Sequence, residues 1–176
     1  MKQALRIGVP GGIAAGAIMA LWSMAAMWVT GAGFLTPVNL IAHTFYRSAP
    51  LNATFSAPAL VIGLAVHMTV ASVFGTAIAA LAQRLPGRRT LVIAGGILFV
   101  AVVWPFMQWG VWYKIDEVAA EGFTEWIFAI AHLIFGVAAA GLASIGIIED
   151  EERGRHAAPA RPAPSPGSLF QPNQRR

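Results

Sequence analysis

Cysteine is absent from the 176 residues, and charge is scarce, with 11% of the chain Asp, Glu, Lys or Arg. The first absence excludes disulfides, thiolate metal sites and a cysteine nucleophile. The second sets the chain apart from soluble domains, which carry about 25% charged residues. The short signatures of soluble catalysis are missing too. There is no GxSxG elbow, no Walker A loop, no HExxH and no Gly-rich dinucleotide turn after a strand. The net charge of +4 does not indicate nucleic acid. Residues 1–149 hold seven Lys or Arg against five Asp or Glu, and these fall at the borders of apolar runs rather than on one aromatic-interleaved face.

What the chain has in abundance is apolar sequence, 57% of its residues. It gathers into four runs, about 7–31, 58–83, 90–113 and 126–148. At about 1.5 Å per residue, each is long enough to cross a hydrocarbon core of about 30 Å. Backbone groups in lipid must be paired within the segment, so the runs are expected to be helices. Pro10 sits in the first turn of run one, Ser56 and Pro58 open run two, and Thr124 opens run four, all positions that suit a helix start. Pro105 lies inside run three, where it should kink the helix and free a carbonyl one turn earlier. Run one is long for a signal-peptide core. It carries Gly8, Gly12, Gly16 and Ala20 at four-residue spacing, a packing face.

Lys2, Arg6, Arg84, Arg88, Arg89, Arg153 and Arg155 mark one side, whereas the other two links hold only Arg47 and Lys114. The positive-inside rule then places both termini in the cytoplasm, with links 32–57 and 114–125 outside. Residues 36–46, TPVNLIAHTFY, are too apolar for a free loop and too short to span, and read as an interfacial or re-entrant segment. The Pro-, Ala- and Arg-rich stretch within 150–176 reads as a disordered cytoplasmic tail.

Two histidines stand inside apolar runs, each heading a ladder of small residues. His67 is followed at four-residue steps by Ala71, Gly75 and Ala79, and His132 by Gly136, Ala140 and Ser144. Runs one and three share an early glycine pair (Gly11, Gly12; Gly95, Gly96) and a later tryptophan, so a two-helix unit occurring twice is expected. Each histidine lies 17 residues before a charged inner border, Arg84 or Glu149, or about 25 Å along a helix. An ionisable group at that depth is a candidate functional site.

Several readings of the pair stay open at this level. The imidazoles suit the axial positions of a b-type haem, with Arg47 or Lys114 near its propionates. They suit proton or quinone chemistry. As metal ligands they are too few unless His43 or an outer carboxylate joins them. The plain alternative is packing, with each histidine hydrogen-bonding across helices beside Gly and Ala. Gln108, a polar residue in the aromatic end of run three, is expected to face a histidine across the bundle. Met24 and Met27 are soft but ordinary filler. Asn39 and His43 share a face in the outer segment. Glu117, Glu121 and Glu125, with Asp116 beside them, form an acidic stripe best explained as a solvated face.

The segments NLIAHT (39–44), GLAVHMTVASVFG (63–75), VVWPFMQW (102–109) and AHLIFGVAAAGL (131–142) together resemble a group of small four-helix bacterial membrane proteins without assigned function. The resemblance covers about 1–148 and implies the fold but no activity. The expectation is thus an all-α membrane protein of the bacterial inner membrane, a four-helix bundle over 1–149. Its leading role is that of a non-enzymatic accessory subunit, packing through Gly8, Gly12, Gly16, Ala71, Gly75, Gly136 and Ala140 within a larger membrane complex or with its own copies. The rival is a haem- or quinone-linked redox protein using His67 and His132, and the third a small oligomeric transporter.

Overall fold

The computed structural model describes residues 1–157. Its elements are α1 (Lys2–Val29), α2 (Thr36–His43), α3 (Ala57–Gln83), α4 (Arg89–Pro105), a π-helical segment (Phe106–Trp112), α5 (Tyr113–Ile115), α6 (Glu117–Glu121) and α7 (Glu125–Ala157). No strand occurs among the described residues. Four helices are long and apolar enough to cross a membrane: Lys2–Val29, Ala57–Gln83, Arg89–Ile115 and Glu125–Asp150.

Local chemistry sets the ends. The Ser56 hydroxyl accepts the Ala59 N–H at 3.4 Å and caps α3. Asp116 caps α6 by accepting the Ala119 N–H at 3.3 Å. After α1 the chain turns through Gly33 at φ +99°, a conformation open to glycine, and its N–H returns to the Met27 carbonyl. Pro105 brings no N–H to the ladder. Instead of simply breaking, the helix widens to π geometry over Phe106–Trp112 and closes with α5. The helix α7 runs on to Ala157, past the tail boundary expected at 150. The polar stretch beyond Glu149 is rich in Glu and Arg, good helix formers, so apolarity ends there while the helix does not. Residues 158–176, the rest of the expected tail, lie outside the described residues.

α1, α3 and α7 pack on one another; α4 lies on the far side of α7 and only grazes α3. Consistent with this central place, α7 buries 56% of its apolar window against 17–39% for the other three. Two seams are built of small residues. A Cβ on Gly8 or Gly12 of α1 would collide with the α3 backbone at Thr76 and Ala71, and one on Gly75 would meet Gly12. In the second seam a Cβ on Gly96 of α4 would lie 2.8 Å from the Gly136 carbonyl and 2.9 Å from the Ala140 Cβ. Ala71 and Gly136 each stand four residues after a histidine. The two seams therefore use one offset: Gly12 meets Ala71 and Gly75, and Gly96 meets Gly136 and Ala140.

Both ends of the bundle are fastened. At one, Arg6 forms an ion pair with Asp150, and Gln3 Nε2 donates to the same carboxylate at 3.0 Å. This brings the start of α1 beside the far end of α7. At the other, Asn39 of α2 donates to the carbonyls of Asn52 (2.7 Å) and Thr54 (2.9 Å), which holds the loop before α3. α2 buries Thr36 through Ala42, and a Cβ on Gly63 of α3 would strike its Val38 carbonyl.

The seam makes a direct prediction. Gly75→Leu should lower the thermal stability of the full chain in detergent by about 1–3 kcal/mol or prevent folding, because it overpacks backbone that cannot recede. Gly141→Ala, where nothing lies within 4 Å, should be neutral or slightly stabilising. Fluorescence-monitored melting curves of the two variants check both.

Candidate functional site

The site begins with two bonds that fix two rings. His67 projects from α3 across the small-residue seam, and its Nε2 donates to the Gly16 carbonyl of α1 at 2.9 Å. Gly16 permits this, because a Cβ there would lie 2.7 Å from the Ala71 Cβ and 3.6 Å from His67 Nε2. His132 of α7 turns the other way. Its Nδ1 donates to the Phe128 carbonyl of its own helix at 2.8 Å. The Phe128 ring stands edge-on to the imidazole, centroids 4.7 Å apart. Phe128 in turn packs with Phe123 (4.5 Å) and Trp112 (5.3 Å) in an aromatic cluster. Trp112 is held by its indole N–H, which donates to Thr44 Oγ1 at 3.0 Å.

These rings bound one cavity of about 270 Å³. α1 contributes Met19, Ala20, Ser23 and Met24; α2 contributes Pro37, Val38 and Ile41; α3 contributes His67, Val70, Ala71 and Phe74. Met107, Val111 and Trp112 come from the π-helical segment, and His132 and Phe135 from α7. The wall is almost wholly apolar. Its polar side chains are Ser23, Thr44, His67 and His132. The volume falls just under the ~300 Å³ at which small-molecule sites commonly begin.

The sequence brought the histidines forward as a pair, and both line this cavity. Other assignments are corrected. Gln108 does not reach either histidine. It is buried beside α6, its Nε2 donating to the Ala120 carbonyl at 3.1 Å, and its Oε1 has no partner among the described residues. The π-helical winding turns it away from the cavity that Met107 and Val111 line. Arg47 is committed elsewhere: its guanidinium holds Asp116 at 2.7 Å and the Ile115 carbonyl at 2.8 Å. His43 donates from Nδ1 to the same carboxylate at 2.6 Å, so it does not complete a metal set with the other histidines. No three His, Asp or Glu side chains gather for a metal among the described residues.

Asp116 was read with the acidic stripe, yet it is 3% exposed, while Glu117, Glu121 and Glu125 face out. It is the anchor of a latch that joins α2 to α6 over the cavity end. Burial opposes its charge. The His43 bond, the Ala119 N–H and attraction to His43 and Arg47 outweigh burial and hold the carboxyl below its ordinary 3.8. This latch spans 73 residues between His43 and Asp116, and no local signal marks it. Ser23 was missed for a different reason. Most other buried or half-buried helical hydroxyls, such as those of Thr36, Ser72, Thr76 and Ser144, bond back to a carbonyl four residues earlier. Ser23 makes no such bond among the described residues and is 6% exposed.

The Gly8, Gly12, Gly16, Ala71 and Gly75 set lies at the α1–α3 seam, and Gly136 and Ala140 at the α4–α7 seam. All seven are buried inside the chain.

A carboxyl held lower in the folded chain than in the unfolded chain contributes stability above about pH 4 and loses it as pH falls through the folded value. Asp116→Asn should therefore cost about 1.5–3 kcal/mol at neutral pH, the range for hydrogen bonds to charged groups. The gap in melting temperature between wild type and variant should shrink below about pH 4. A gap constant from pH 7 to pH 3 would contradict the latch. No family model, curated protein or solved structure matches this chain.

Proposed function

We propose that the chain is an integral membrane protein of four spans that binds a small lipophilic molecule between α1, α2, α3 and α7, with His67 and His132 at its polar end. The observation that carries this reading is the convergence of two imidazoles, from equivalent positions in two helix pairs, on one apolar cavity. Apolar walls with a few convergent polar groups are the usual composition of such sites.

The membrane setting is supported by the four long apolar helices and by large side chains such as Leu21, Val61, Leu98 and Val102 facing outward from them. Lys2, Arg6, Arg84, Arg88 and Arg89 lie at the end of the bundle where Arg6 meets Asp150. By the positive-inside rule that end is cytoplasmic, and the cavity belongs to the outer half. The common seam offset supports a two-helix unit occurring twice in parallel.

The accessory-subunit reading draws no support from the small-residue faces, because those faces are occupied within the chain. Haem keeps one specific point in its favour. The His132 Nδ1 bond to a carbonyl leaves Nε2 with its lone pair, the arrangement common among histidine metal ligands. His67 bonds through the opposite nitrogen.

Solvent extraction of the purified full chain, followed by mass spectrometry, tests the proposal. One lipophilic species should be released at about one per chain, and Val70→Phe, which fills the cavity, should lower its yield about tenfold. Wild type and variant releasing the same bulk lipid would sink the reading. An iron porphyrin in the extract, with a Soret band lost in His132→Ala, would transfer the site to haem.

A further inference from the structure

The hydrogen bonds already made by the two rings determine what the cavity can still offer. A carbonyl oxygen only accepts, so the nitrogen bonded to it carries the proton. His67 uses its N–H on Gly16, and His132 uses its N–H on Phe128. A neutral imidazole has one N–H, and the neutral form is the one least costly to bury among apolar side chains. The nitrogens left over, Nδ1 of His67 and Nε2 of His132, are therefore lone-pair acceptors. Neither has a protein partner among the described residues. The Thr44 hydroxyl accepts the Trp112 indole N–H and keeps its own O–H, and Ser23 adds a buried hydroxyl with no protein partner among the described residues; each can donate or accept. The two imidazole positions of the wall therefore offer acceptors alone, the two hydroxyls can pair with either kind of group, and the rest of the wall is hydrocarbon and aromatic.

We propose that the cavity selects molecules whose head donates hydrogen bonds, a phenol or hydroquinone on an apolar body, over molecules of the same shape that only accept. The inference rests on the cavity being a lipophilic binding site and adds the polarity of its ligand. A quinone or an aryl ether brings acceptors only, so neither imidazole lone pair gains a partner and both stay unpaired in an apolar enclosure. A hydroquinone brings two O–H groups. His67, His132 and Ser23 are binding residues in this account, and no proton or electron transfer is required of them.

The test compares three probes of one skeleton on the full chain in detergent, under nitrogen: pentyl-hydroquinone, its di-O-methyl ether and pentyl-benzoquinone. Titration calorimetry should rank the hydroquinone at least tenfold tighter than the ether and the quinone. His67→Phe and His132→Phe should each bring the hydroquinone down to the ether's affinity and leave the ether within about twofold. Melting curves confirm that each variant is folded, and Ser23→Ala, which removes a hydroxyl able to pair with any of the three heads, should leave their ranking unchanged. Equal binding of the three probes by wild type would overturn the donor preference while leaving the lipophilic site standing. Tighter binding of quinone or ether would overturn it outright, and no saturable binding of any probe would overturn both. The comparison of probes on wild type needs no variant to fold.

Discussion

The contact on which the rest depends is the meeting of α1 and α3 without side chains between them. Gly8 and Gly12 lie directly against the backbone from Ala71 to Thr76. Four long helices that are apolar all round have no polar face to orient them, so shape must do it. Glycine and alanine supply that shape by letting backbones approach. Close approach brings a second consequence. It sets the Gly16 carbonyl within 2.9 Å of His67 Nε2 and so locks a ring that a wider seam would leave free. The α4–α7 seam repeats the register with Gly96 and Gly136 but has Val100 near the place corresponding to Gly16. There His132 bonds to its own helix.

Tight seams alone would leave no room for a ligand. The room comes from what surrounds them. Pro105 starts a π-helical segment, and the altered winding sends Met107, Val111 and Trp112 toward the cavity and Gln108 away. The short α2 forms another wall, fastened to α6 by the His43–Asp116–Arg47 cluster and to its own loop by Asn39. Polar bonding is therefore concentrated at the rim, where the carboxylate of Asp116 takes the His43 imidazole, the Arg47 guanidinium and an amide. The cavity wall itself keeps only four polar side chains.

Much of the architecture was legible because hydropathy and length decide it. The four apolar runs appear as four long helices within a few residues at most ends, and Ser56 caps the helix it was expected to open. α7 outlasts its apolar run, because hydropathy marks where apolar sequence stops and not where helix-forming residues such as Glu and Arg stop. Gln108 bonds to the Ala120 carbonyl and not to a histidine, because which way it faces depends on the π-helical winding of Phe106–Trp112, which no residue pattern announces. Asp116 was grouped with its sequence neighbours, although its fate is set by His43, 73 residues away.

Sequence by itself determined the all-helical class, the four long apolar segments, and the small-residue ladders behind His67 and His132, since these follow from composition and a 3.6-residue period. It also marked the two histidines, because an ionisable side chain in such a segment is conspicuous. Only the tertiary structure decided that both rings border one cavity, which nitrogen of each is already bonded, and that Arg47 and His43 serve Asp116. Those outcomes depend on distances between helices far apart in the chain. The distances in turn are set by backbone contact at glycines, which a list of residues does not encode.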